Sequence, residues 1–91
     1  MSHTIHNKAK LLARVRRLRG QMEAIERALE AEAGCGEILQ LVASVRGATN
    51  GLMVELIEDH ILTHVADDAL SPQERGNGAA ELLDITRTYL K

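Results

Sequence analysis

Residues 35–65 read CGEILQLVASVRGATNGLMVELIEDHILTHV, and this stretch decides the fold. Ile38, Val42, Val45, Thr49, Leu52 and Leu56 step 4, 3, 4, 3, 4, the spacing of one face of a helix. Leu39, Leu41, Met53, Ile57 and Ile61 make the same helix apolar on more than one stripe. A helix that is apolar on two sides needs two partners, and a neighbour folded back from the same chain supplies only one. The second is most simply another copy of the chain.

Upstream, Leu11, Val15, Leu18, Met22, Ile25 and Leu29 repeat the 4, 3, 4, 3, 4 spacing. They predict a first helix that starts between Thr4 and Asn7 and runs to about Ala31, with Glu23, Glu26 and Arg27 on its wet side. Gly34 and Gly36 around Cys35 read as the break before the second helix. Downstream, Asp67-Asp68 marks the next break, and Ser71-Pro72-Gln73-Glu74 reads as a capped start with Pro in the first turn. A third helix follows, with Leu82, Leu83, Ile85, Thr86 and Tyr89 on its apolar side. Gly76-Asn77-Gly78 is expected to separate its first turn from a main body beginning at Ala79.

Composition agrees with an all-α fold in a single domain over 1–91. Of the 91 residues 45% are hydrophobic, yet Tyr89 is the single aromatic ring, so the core lacks the rings that β-sandwiches favour. A lone cysteine excludes an internal disulfide and a four-cysteine zinc site within one chain. No apolar run approaches a membrane span, and the polar start carries no secretory apolar stretch, which predicts a cytoplasmic protein with no membrane partner. No nucleophile–base–oxyanion set is present, so an enzyme, whether metal-dependent or thiol-based, is not expected.

Charge is divided along the chain. Residues 1–20 hold Lys8, Lys10, Arg14, Arg16, Arg17 and Arg19 with no acid, while the remainder holds five basic and thirteen acidic residues. Such asymmetry points to an anionic partner for the basic end, or to a solvated face offset by acids elsewhere. Lys10, Arg14 and Arg17 share one helix face at i, i+4, i+7.

His60 and His64, four apart, project from one helix face and can chelate one ion, though alone the pair is a weak signal. Cys35 lies on the same stripe, because twenty-five steps of 100° return within about 20° of the starting face. It is also roughly 37 Å from His60 along a straight helix. They cannot meet within one straight helix but can meet between two antiparallel copies of it, whose two-fold axis would fall near Ala48 and Thr49, between Gly47 and Gly51. Two equivalent sites per dimer follow.

The segments Leu12-Ala13-Arg14-Val15-Arg16-Arg17-Leu18-Arg19-Gly20-Gln21 and Val45-Arg46-Gly47-Ala48-Thr49-Asn50-Gly51-Leu52-Met53 resemble the CsoR/RcnR/FrmR family of small repressors, which sense copper, nickel and cobalt, or formaldehyde. The resemblance implies a three-helix protomer, an antiparallel four-helix-bundle dimer and a dimer of dimers. It also implies an apo form that binds operator DNA and a metal-bound form that releases it, derepressing a metal-efflux gene. The opening Met1-Ser2-His3-Thr4-Ile5 looks like the nickel/cobalt branch, which implies His3, Cys35, His60 and His64 as ligands for Ni(II) or Co(II), with Zn(II) also compatible. The copper branch has a second cysteine where this chain has His64, and an imidazole there favours borderline ions over Cu(I). Gly34 departs from an acidic residue of the nickel/cobalt prototype, and His6 reads as surface. The formaldehyde branch has Pro where this chain has Ser2 and lacks a histidine at 64; its reading would use Cys35 and the N-terminal amine. The family resemblance points to Arg14 and Arg17 as DNA contacts, and Lys10 joins them on the shared face; Lys8, Arg16 and Arg19 are further candidates, with Arg16 and Arg19 read as either rim contacts or partners within the protein.

Overall fold

The computed structural model describes residues 7–90, which form three helices, α1 (Lys8–Glu30), α2 (Cys35–His64) and α3 (Pro72–Tyr89). No strand occurs among the described residues. They fall into two compact units, Asn7–Met53 and, from Val54 onward, the remainder of α2 with α3.

In the first unit α1 and the leading part of α2 run antiparallel. Gln21 Nε2 donates to Ser44 Oγ at 3.1 Å, and a Cβ on Gly51 would lie 3.3 Å from Arg14 Nη1. Leu11 is buried and Leu18, Ile25 and Ala28 are half-buried, as are Arg14 and Gln21. The inward row of α1 is therefore 11, 14, 18, 21, 25, 28. This corrects the expected seam, because Val15, Met22 and Leu29 stand 47%, 55% and 58% exposed. On α2 the inward row is Ile38, Leu41, Val45, Ala48 and Leu52, whereas Leu39, Val42 and Thr49 are exposed. The helical period is as expected, but each helix is rotated so that half its apolar surface faces outward. Gly51 gives up its space to Arg14 of the same chain, while Gly47 faces open space.

The α1–α2 turn is not made by Gly34 or Gly36. Neither has a positive φ, and Gly36 lies inside α2. Instead Glu32 takes φ 56°, with Ala33 N–H donating to Ala28 O at 2.9 Å and Glu32 N–H to Leu29 O at 3.1 Å. This is a Schellman closure with a glutamate at the left-handed position where glycine is usual.

The second unit begins α3 as the sequence indicates. Ser71 Oγ accepts from Glu74 N–H at 3.1 Å, Glu74 Oε1 accepts from Ser71 N–H at 2.9 Å, and Pro72 opens the helix. These bonds hold the exposed Glu74 carboxyl below its ordinary pKa, the backbone donor contributing most. Before it, Asp67 Oδ1 accepts from Ala69 N–H at 2.9 Å, forming an Asx turn. The expected break at Gly76-Asn77-Gly78 is absent: α3 runs unbroken from Pro72. Gly78 is the buried residue of this helix, so its missing side chain serves a close approach and not a turn.

Candidate functional site

His60 and His64 sit one turn apart at the end of α2. Their ring centroids are 5.1 Å apart and their planes are tilted by 44°. Imidazoles this close can each direct a nitrogen at one ion, given metal–nitrogen bonds of about 2.0–2.1 Å. His60 is 7% exposed and His64 half-buried.

His60 Nε2 lies 2.9 Å from Gly78 O on α3. A carbonyl oxygen has no proton to give, so Nε2 must be the protonated nitrogen. In the neutral ring the lone pair then resides on Nδ1. Ligating histidines are usually arranged this way, with one nitrogen donating to a carbonyl and the other turned to the metal. The two imidazoles thus fit a borderline divalent ion in chemistry and in spacing.

The partner of His60 was not legible in the sequence. Three residues of glycine-rich chain read as a break, although an isolated glycine inside a helix often marks a packing contact. A Cβ on Gly78 would overlap the carbonyl oxygen of His64 and would lie 2.8 Å from its carbonyl carbon and 3.0 Å from its Cβ. Only glycine lets α3 come this near to the last turn of α2.

Cys35 is the first residue of α2, with an exposed free thiol. Among the described residues of one chain, no three or more His, Cys, Asp or Glu side chains gather around a common point. Among the described residues, one chain therefore brings His60 and His64 together without a third His, Cys, Asp or Glu beside them. His3 and His6 lie outside the described residues, as does the N-terminal amine.

The basic segment occupies the first half of α1. Lys8, Lys10, Arg16, Arg17 and Arg19 are exposed. Arg14 is half-buried on the inward row, with its guanidinium against Gly51. Asn7 offers no side-chain cap, and no acid stands in the first turn. Lys8 and Lys10 thus face the positive end of the helix dipole, an unfavourable pairing that a nearby anion relieves. Among the described residues, no helix is long and apolar enough to cross a membrane.

An uncharacterized protein encoded in the bioA 5' region of Serratia marcescens is 48% identical over the full length of both chains. The transcriptional repressor RcnR of Citrobacter koseri is 36% identical, also over both full lengths. Among solved structures, a glutamate-to-histidine variant of the formaldehyde-responsive regulator FrmR from Salmonella enterica serovar Typhimurium superimposes with a TM-score of 0.87. It is 45% identical, and the match covers 97% of this chain and 99% of that one. Residues 7–88 match the family described as metal-sensitive transcriptional repressor, and the chain belongs to that family, the CsoR/RcnR/FrmR group of regulators.

Proposed function

We propose that this repressor senses Ni(II) or Co(II), holding an operator in its apo form and leaving it when the metal binds, so that a metal-efflux gene is expressed. The observation that carries this reading is the imidazole pair at the end of α2, with His60 held through Nε2 so that Nδ1 carries the lone pair. Cys35 and His3 complete the ligand set, Cys35 coming from a second protomer. When bound, the metal supplies bonds that tie Cys35 of one chain to His60 and His64 of another.

The outward rows support such assembly. Val15, Met22 and Leu29 on α1 and Leu39 and Val42 on α2 are exposed in a single chain. Burying apolar surface stabilises association by about 25 cal/mol per Å², so a second copy has a clear driving force. A dimer, and a tetramer built from it, follows from covering these rows. Lys10, Arg14 and Arg17 make the DNA contacts, with Lys8, Arg16 and Arg19 at the margin, and the affinity comes mainly from neutralised phosphates.

A second reading rests on the exposed Cys35 thiol and on the similarity to a formaldehyde-responsive regulator. In it, Cys35 and the N-terminal amine form a methylene bridge with formaldehyde, releasing water. Against it stands His64, which that chemistry does not need.

The test is a duplex selected from a random pool by the apo protein, titrated separately with Ni(II), Co(II), Zn(II), Cu(I) and formaldehyde. Release by Ni(II) or Co(II) at the lowest free concentration supports the metal reading. Release by formaldehyde alone, with the mass of one methylene bridge added at Cys35, replaces it with the second.

A further inference from the structure

Gly78 touches both histidines of the α2 pair. Its carbonyl oxygen lies 2.9 Å from His60 Nε2. Its Cα faces the His64 carbonyl so closely that an added Cβ would overlap that oxygen and stand 3.0 Å from the His64 Cβ. The hydrogen occupying the Cβ position therefore points at the His64 carbonyl in the last turn of α2. A helical carbonyl also retains a second lone pair beyond its intrahelical bond, so Gly78 O can accept from His60 without opening α3.

We propose that Gly78 is the positioning residue of the metal pair. Its carbonyl selects the Nε2-protonated tautomer of His60, and its bare Cα brings that carbonyl within reach. In solution a neutral imidazole exchanges between two tautomers, and only one puts a lone pair on Nδ1. Gly78 removes that choice before any metal arrives. A side chain at 78 meets backbone atoms of His64, which cannot rotate away, so α3 would have to lift and the acceptor would leave His60. The inference rests on the metal reading for its purpose, but its physical content concerns the metal-free protein.

The test is nitrogen NMR on metal-free protein carrying 15N-histidine, with the His60 signals assigned by comparison with His60→Gln. The expected result is a protonated Nε2 and a pyridine-like Nδ1 at His60. A pyridine-like Nε2, or averaged signals from both tautomers, overturns the proposal. Gly78→Ala should return His60 to a tautomer mixture and weaken Co(II) binding by about 10–100-fold, as lost outer-shell partners do. A folded Gly78→Ala protein with unchanged tautomer and affinity also overturns it. Should that variant fail to fold, amide exchange in α3 decides. His60→Ala should speed exchange around Gly78 several-fold, and His60→Gln, whose Nε2 can still donate, should restore the protection. Equal exchange in all three proteins refutes the contact. Absence of Co(II) binding by wild-type protein with the expected tautomer would sink the metal reading and leave the positioning role standing.

Discussion

Arg14 and Arg17 carry the same charge, three positions apart, in different surroundings. Arg17 is exposed, whereas Arg14 is half-buried with its guanidinium over Gly51. Long basic side chains pack their stems while keeping the charged head accessible, so Arg14 serves packing as well as charge. Arg17→Ala should weaken DNA binding on every sequence, lower the salt slope by about 0.9 and leave stability within about 0.5 kcal/mol. Arg14→Ala should show the same binding loss together with a lower melting temperature. Unchanged affinity and slope in both variants would put the DNA surface elsewhere. The difference between these two arginines was not legible in the sequence, where they share a face. The heptad spacing is equally consistent with an inward row of Val15, Met22 and Leu29 or of Arg14, Gln21 and Ala28. Polarity favours the first, but the chain folds with the second inward and leaves Val15, Met22 and Leu29 exposed.

Helix ends divide into those written in residue chemistry and those that depend on a backbone state. The start of α3 belongs to the first kind: Ser71, Pro72 and Glu74 occupy cap, first-turn and capping-box positions that local rules identify. Ser71→Ala should cost about 1 kcal/mol, read as a fall in melting temperature. Glu74 has its carboxyl pKa lowered on folding, so its contribution is present above the ordinary value of 4.5 and is lost as pH falls through the lowered one. A melting profile against pH should therefore drop on the acid side below about pH 4.5, and Glu74→Gln should flatten that portion. An identical acid limb in Glu74→Gln would remove the box from the account. The end of α1 belongs to the second kind, since nothing in a glutamate announces φ 56°. Left-handed backbone costs a non-glycine residue roughly 1–2 kcal/mol. Glu32→Gly should therefore stabilise the protein by up to about 1 kcal/mol, with part of the gain lost to the freer unfolded chain. Destabilisation by this change would mean that the Glu32 side chain makes a contact outside the chain's own turn.

For the assembled molecule, the decisive question is whether each metal site is shared between chains. Cys35→Ala and His60→Ala proteins should each lose tight Ni(II) or Co(II) binding. A verified heterodimer of the two variants carries both lesions at one site and none at the other. It should recover Co(II) thiolate absorption at about half the native intensity, following the usual thiolate–imidazole pattern. No recovery would refute the cross-chain site. The proposal of a shared site comes from the stripe that holds Cys35, His60 and His64 in the sequence; among the described residues of one chain no three His, Cys, Asp or Glu side chains gather. What remained hidden was the acceptor on α3, because a backbone carbonyl has no letter in the sequence.

The outward row of Val15, Met22 and Leu29 has a consequence for how much of this repressor a cell can hold in working form. When folding is completed by a second copy, stability follows mass action and rises with protomer concentration. The melting temperature should climb as the protein is concentrated, and sedimentation should show no folded monomer at micromolar concentration. A constant melting temperature over a hundredfold dilution, with a folded monomer, would refute this. Newly made chains below the assembly threshold display their apolar row to proteases, while paired chains hide it. If assembly proceeds as proposed, abundance acquires a floor set by the association constant, and the quantity of repressor is tied to the same surface that would build its sensor.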